Sequence, residues 1–162
     1  MDTEAVTDND DRSGCDTMVT VDRYRDGDLA GLCGLMEQWR DDHLFTMRVT
    51  GETVSEILGD PAHAILVARD GADVIGYALT AKCHYLGHEP FVEVVQLLTA
   101  EKNRSTGVGR ALMERVEEEA RRDGIDVVKL STQVHRSRAQ VFYEGLGYEY
   151  YKISKFYQKR LR

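Results

Sequence analysis

A chain of 162 residues, 42% hydrophobic and 30% charged, is long enough to bury one core without staples, and no apolar run in it approaches the ~20 residues of a membrane helix. The formal charge of −7 gathers at the start, where Asp2, Glu4, Asp8, Asp10, Asp11 and Asp16 stand against Arg12 alone; that leaves −2 for the body and excludes a dense basic face for nucleic acid. Three cysteines, Cys15, Cys33 and Cys83, share no ligand-like spacing, which speaks against a metal site and for free thiols in a reducing cytoplasm.

Residues 1–16 read as a solvated acidic arm with no basic and apolar leader, and 17–162 as one domain. Thr17–Arg25 alternates and predicts an edge strand. Asp26-Gly27-Asp28 is a turn able to cap a helix over Leu29–Arg40, whose Leu29, Leu32, Cys33 and Met36 share helical spacing. His43–Gly51 is ambiguous. Thr53–Leu58 predicts a short helix stopped by Gly59-Asp60-Pro61. His63–Arg69 and Val74–His84, joined by Asp70-Gly71-Ala72-Asp73, predict a hairpin. Phe91–Thr99 is a further strand, followed by a polar loop and a helix opening at Gly107-Val108-Gly109. Leu112, Met113, Val116 and Ala120 give that helix its apolar stripe. Glu117–Arg121 and Glu118–Arg122 are spaced for ion pairs on its wet side. Gly124 ends it. A strand over 126–132, a helix over 136–145 and strands over 148–151 and 153–158 complete the chain. Strand 91–99, helix 107–123 and strand 126–132 form a right-handed crossover with a parallel pair, attached to an antiparallel meander.

A strand that feeds a glycine-rich turn and a helix start is a place to hold an anion. Backbone N–H groups converge there, and the helix dipole adds roughly half a positive charge. Lys102, Arg104 and Arg110 reinforce that polarity, and a pyrophosphate suits the turn. A dinucleotide fingerprint would need Gly or Ala where Leu112 stands, and the Gly-Lys-Ser/Thr of a Walker loop is absent.

Arg104-Ser105-Thr106-Gly107-Val108-Gly109 resembles the Arg/Gln-x-x-Gly-x-Gly signature of the GNAT acetyltransferases. Ala139-x-x-Phe142-Tyr143-Glu144-Gly145-Leu146-Gly147-Tyr148 is similar to the Ala-x-x-x-Tyr-x-x-x-Gly-Phe segment of the same family. The resemblance covers roughly residues 18–160. It implies an α/β fold: a mixed, mostly antiparallel sheet of six to seven strands with a splayed parallel central pair, flanked by about four helices. It also implies acetyl-CoA (coenzyme A) as co-substrate, with no metal. By resemblance, the backbone of Leu97, Leu98 and Thr99 pairs with the pantetheine chain beside a bulged strand. Arg104, Ser105, Thr106, Gly107, Val108, Gly109 and Arg110 then surround the pyrophosphate.

Acetyl transfer to an amine needs a base for the ammonium, a donor for the carbonyl oxygen and a proton for the departing thiolate. Glu93, eleven residues before Arg104, matches the catalytic glutamate of histone-acetylating relatives; the plain alternative is a strand-edge glutamate. Tyr143 matches the phenol that faces the CoA sulfur; the alternative is a core aromatic. Strict alternation puts Gln96 on the strand face opposite Glu93. The family often carries Asn where Arg136 stands, which puts the cofactor contact at that point in doubt. His84 and His88 read as loop surface or as neighbours of the acceptor. Trp39, Phe45 and Met47 read as core or as part of an acceptor pocket. The expected function is therefore acetyl transfer to the amine of a small molecule or a peptide or protein. The alternative is an acyl-CoA-binding regulatory or interaction module with little turnover. No nucleic acid or membrane partner is expected. The aromatic run Tyr148–Tyr157 suits either core or the C-terminal homodimer contact seen in many relatives.

Overall fold

The structure, a computed structural model, describes residues 19–39 and 49–161. The acidic arm, Cys15, Phe45 and Met47 lie outside them. Five strands form one sheet in chain order: β1 (Val19–Arg23), β2 (His63–Asp70), β3 (Asp73–Cys83), β4 (Phe91–Thr99) and β5 (Val128–Leu130). Neighbours are antiparallel through β4, and β5 joins β4 in parallel. Helices α1 (Leu29–Gln38) and α2 (Gly51–Gly59) cover one face; α3 (Val108–Arg122) and α4 (Ser137–Glu144) cover the other.

The period-2 alternation of β2 explains this sandwich. Leu66 and Ala68 pack under α3 with Leu112, Met113 and Val116, while Ile65 and Val67 pack under α1 and α2 with Leu32, Leu35 and Val54. A strand buried on both faces reads as an unbroken apolar run, as Ala64–Ala68 does. Each fully buried Leu or Val contributes about 1.5–3 kcal/mol.

Helix α1 is seated by two contacts. A Cβ on Gly31 would lie 2.5 Å from Val74 Cβ, so the helix backbone rests directly on β3. Just before α1, the buried Asp28 carboxylate accepts from Arg69 Nε (2.8 Å) and Nη2 and from the Arg25 N–H (2.7 Å). Helix α2 begins two residues earlier than predicted, because the Thr50 hydroxyl caps it by accepting from the Thr53 N–H at 3.2 Å. Helix α3 ends as its sequence predicts. Gly124 (φ 72°) turns the chain back, its N–H bonds Arg121 O, and the Ile125 N–H bonds Ala120 O, burying Ile125. Of the two expected ion pairs on α3, Arg121–Glu117 forms at 2.9 Å, whereas Glu118 meets Arg115 at 3.5 Å.

The expected six to seven strands are five among the described residues. β5 is shorter than 126–132, and 148–151 and 153–158 form no strand. Alternating aromatics supply strand propensity, but a strand also needs a neighbour's edge to complete its hydrogen bonds. Here the segment finds none, and Tyr150, Tyr151, Ile153, Phe156 and Tyr157 are each more than half exposed. These side chains are therefore not core of the described fold.

Candidate active site

The site begins with an irregularity in β4. In the β3–β4 ladder Leu79 faces Gln96, and the next residue, Thr80, faces Val94, so Val95 has no partner. This bulge overturns the expectation for Gln96. One inserted residue brings Gln96 onto the same face as Glu93, towards α1 and α2, where the Tyr77 phenol donates to Gln96 Oε1 at 3.1 Å. The β4–β5 pairing stops at the same point: it runs from Val92–Val128 to Val94–Leu130, while β4 continues to Thr99. The β5-side edge of Gln96, Leu97, Leu98 and Thr99 is thus left without a neighbouring strand among the described residues.

Glu93 sits in the paired part, just before the opening. The Cys83 thiol donates to its Oε2 at 3.8 Å. Burial and the Glu93 charge push that thiol above its ordinary value, opposed by Tyr85 and Lys129. Lys129 is the register partner of Glu93 on β5, and its ammonium lies 3.9 Å from the centroid of the Phe91 ring.

The loop beyond β4 carries the turn expected to hold an anion. After a single 3-10 turn (Glu101–Asn103), Ser105 and Gly107 both adopt left-handed backbone, with φ of 64° and 90°. Residues alternating in this way point successive N–H groups to one side. The N–H groups of Val108, Gly109 and Arg110 open α3 and have no acceptor within the helix. The two motif glycines have different reasons. Gly107 is needed for its positive φ, since a Cβ there would meet nothing within 4 Å. At Gly109 a Cβ would lie 3.1 Å from Phe142 Cζ, so this glycine also lets α4 pack close. Gly76 on β3 performs a similar service from below: a Cβ there would sit 3.0 Å from Val108 Cγ1, so its absence lets the start of α3 settle on the sheet.

The two arginines that flank the glycines are already engaged. Arg104 bonds Glu101 at 3.1 Å and stacks 4.1 Å above the Trp39 ring, while Gln38 Oε1 accepts from the Glu101 N–H at 3.2 Å. The end of α1 therefore clasps the loop. Arg110 reaches Gly145 O at 3.5 Å and Glu114 at 3.9 Å.

Tyr143 lies on α4. Gly147 (φ 88°) closes that helix: its N–H bonds Glu144 O, and the Tyr148 N–H bonds Tyr143 O at 3.0 Å. The turn stacks Tyr148 edge-on against Tyr143 at 6.2 Å, which explains the need for a glycine four residues after the tyrosine. Burial raises the Tyr143 phenol above its ordinary value, opposed by the Arg136 charge. Tyr143 packs with the α3-side core and Glu93 projects to the α1/α2 side, so the two approach β4 from opposite faces. Arg136 holds Gln133 Oε1 at 3.2 Å, and His88 sits edge-on to Tyr85 at 6.4 Å.

The residue profile of the acetyltransferase (GNAT) family matches residues 45–148. The chain belongs to the GNAT family. Among GNAT relatives, an uncharacterized N-acetyltransferase of Mycobacterium tuberculosis (strain ATCC 25618 / H37Rv) is 34% identical over 95 residues, covering 59% of this chain and 58% of that protein. The match thus spans little more than half of that relative's length. An aminoalkylphosphonate N-acetyltransferase of Salmonella typhimurium is 26% identical over 136 residues, 83% of this chain and 85% of its own. Among solved structures, an aminoglycoside acetyltransferase from an uncultured soil metagenomic sample, in complex with trehalose, superposes with a TM-score of 0.76 at 15% identity, covering 90% of this chain and 99% of its own. An aminoglycoside acetyltransferase in complex with a CoA-linked bisubstrate analogue gives 0.74 at 20% identity, covering 89% and 99%. The two sequence motifs fall on the glycine loop and on the α4 segment that carries Tyr143.

Proposed function

We propose that this protein transfers the acetyl group of acetyl-CoA directly to an amine of a small molecule, or of a peptide or protein. One observation carries the reading: the edge of β4 beyond Val94, without a partner strand among the described residues, leads through the short loop 100–107 to the open N–H groups of residues 108–110. An extended amide-bearing chain that ends in a diphosphate fits that path. The backbone of Leu97, Leu98 and Thr99 pairs with the amides, and the loop from Arg104 to Arg110 holds the diphosphate.

The chemistry is then divided across the opening. Glu93, through a water, takes the proton from the acceptor ammonium. The neutral amine forms the new C–N bond as the C–S bond breaks, and the nitrogen then sheds its second proton to water, from which the Tyr143 phenolate regains the one it gives up. The N–H of Leu97 or Leu98 meets the carbonyl oxygen, and Tyr143 gives its proton to the departing thiolate. Cys83, with a raised thiol pKa and a carboxylate neighbour, is poorly suited to carry the acetyl group. The free thiols Cys33 and Cys83 fit a cytoplasmic protein, and the exposed aromatics at 150–157 offer apolar surface for a homodimer.

The test is an acceptor screen with acetyl-CoA that scores thiol release, run beside calorimetry with CoA. The screen spans aminoalkylphosphonates and aminoglycosides, the acceptors named for its relatives and neighbours, together with amino acids and peptides. Thiol release that falls in Tyr143→Phe and Glu93→Gln supports the reading. Tight CoA binding with no release on any amine would identify an acyl-CoA-binding interaction module instead.

A further inference from the structure

We infer that the acceptor is a small amine that also carries an anionic group, and that Lys129 is the residue that selects it. The inference rests on the acetyl-transfer reading above and names its substrate class.

Glu93 and Lys129 are register partners on the parallel β4–β5 pair. Register partners present their side chains to the same face, here the α1/α2 face at the mouth of the β4–β5 opening. Among the described residues neither closes an ion pair with the other or with a third group, and the Lys129 ammonium rests on the Phe91 ring. Both charges act on the same thiol, Cys83, so they lie in one neighbourhood. The amide of Gln96, held by Tyr77, is on this face as well.

A carboxylate and an ammonium side by side make a site of zero net charge with a built-in dipole. A polycation gains at Glu93 and is repelled at Lys129, so it draws little from such a site. A plain alkylamine gains at Glu93 as well, but brings nothing for Lys129 to hold. A molecule with an ammonium at one end and a carboxylate or phosphonate at the other gains at both ends. It also places its amine, and not its acid, beside the carboxylate that would deprotonate it. Lysine suits this task because its flexible stem can leave the Phe91 ring for a better anion.

The test uses three acceptors matched in length, namely aminoethylphosphonate, β-alanine and ethylamine, with kanamycin as the polycation. Each is assayed by thiol release on the whole chain. The expected result is a kcat/KM for at least one of the anionic amines about tenfold or more above that of ethylamine and kanamycin. The phosphonate and carboxylate arms show which anion is taken. Lys129→Gln should erase the advantage through KM, with kcat nearly unchanged and CoA affinity by calorimetry unaltered, whereas Lys129→Arg should retain most of it. Equal or better use of ethylamine or kanamycin overturns the inference while leaving acetyl transfer intact, as does an advantage that survives Lys129→Gln. Failure of every amine in a protein that binds CoA overturns both.

Discussion

The two glycines that open α3 make a controlled comparison, because one is required by conformation and the other sits under a neighbouring ring. Gly107 has φ 90°, and a Cβ added there touches nothing within 4 Å. Gly107→Ala therefore pays only for left-handed backbone, about 1–2 kcal/mol. The stiffer unfolded chain offsets about 0.4–1 kcal/mol of this. A net loss of about 1 kcal/mol remains, which lowers Tm by about 2–4 °C in a chain of this size. Gly109→Ala follows different arithmetic. Helix propensity contributes up to about 1 kcal/mol in its favour, against a Phe142 Cζ that would lie 3.1 Å from the new Cβ. That atom is the far end of a half-buried ring and can yield by a few tenths of an ångström, so the net change is near zero. Urea unfolding and calorimetry with CoA test both variants together. Gly107→Ala should also weaken CoA about tenfold or more, the worth of one charge-assisted hydrogen bond. If Gly107→Ala matches the parent in stability and in CoA affinity, the left-handed turn is not the cradle and the reasoning fails.

Asp28 and Arg69 are both less than 10% exposed, so Asp28→Ala, which strands the guanidinium, should cost about 3–5 kcal/mol in urea unfolding. Burial alone would raise the Asp28 carboxyl, yet the hydrogen bonds from Arg69 and the Arg25 N–H, with both positive charges, hold it below its ordinary value. A depressed carboxyl contributes stability that is present above its unfolded pKa of about 3.9 and is lost as pH falls through the lower folded value; Asp28→Asn should flatten that acid limb of the urea midpoint against pH. Tyr143→Phe should lower kcat about 10²-fold or more with little change in CoA affinity, the mark of a group used in the transition state; loss in CoA affinity alone would return Tyr143 to the core. Iodoacetamide should modify Cys83 slowly at neutral pH and faster in Glu93→Gln, which removes a charge that disfavours the thiolate; peptide mass spectrometry reads the site, and an unchanged rate would show that Glu93 does not govern the thiol.

The elements legible in advance were those whose signals are local. Helix α3, with its apolar stripe and closing Gly124, and the hairpin of β2 and β3 follow from periodicity and turn residues a few positions apart. The loop at 104–109 and the α4 segment ending in Gly147-Tyr148 were legible through their resemblance to family motifs, each a short stretch of chain, and the structure adds the reason for Gly107 and Gly147, a left-handed backbone. Gln96 was misplaced because the bulge at Val95 depends on register against β3, a strand far away in the chain. The C-terminal strands were overcounted because alternation in Tyr148–Gln158 states a propensity, while a ladder needs an edge to join. Gly76 carried no local sign of its role, which arises only when Val108 descends on it.

By itself, the sequence determined most of the order of elements and the glycine turn that opens α3, since these depend on residues close along the chain, and its resemblance to the family named Glu93 and Tyr143 as candidates. The tertiary structure alone decided which side chains share a face at the opening. It placed Lys129 beside Glu93, Gln96 on the same side, Trp39 over Arg104, and Tyr143 on the far side of β4. The physical reason is that strand register and helix docking are settled by long-range packing, and a shift of one residue turns a side chain to the other face of the sheet.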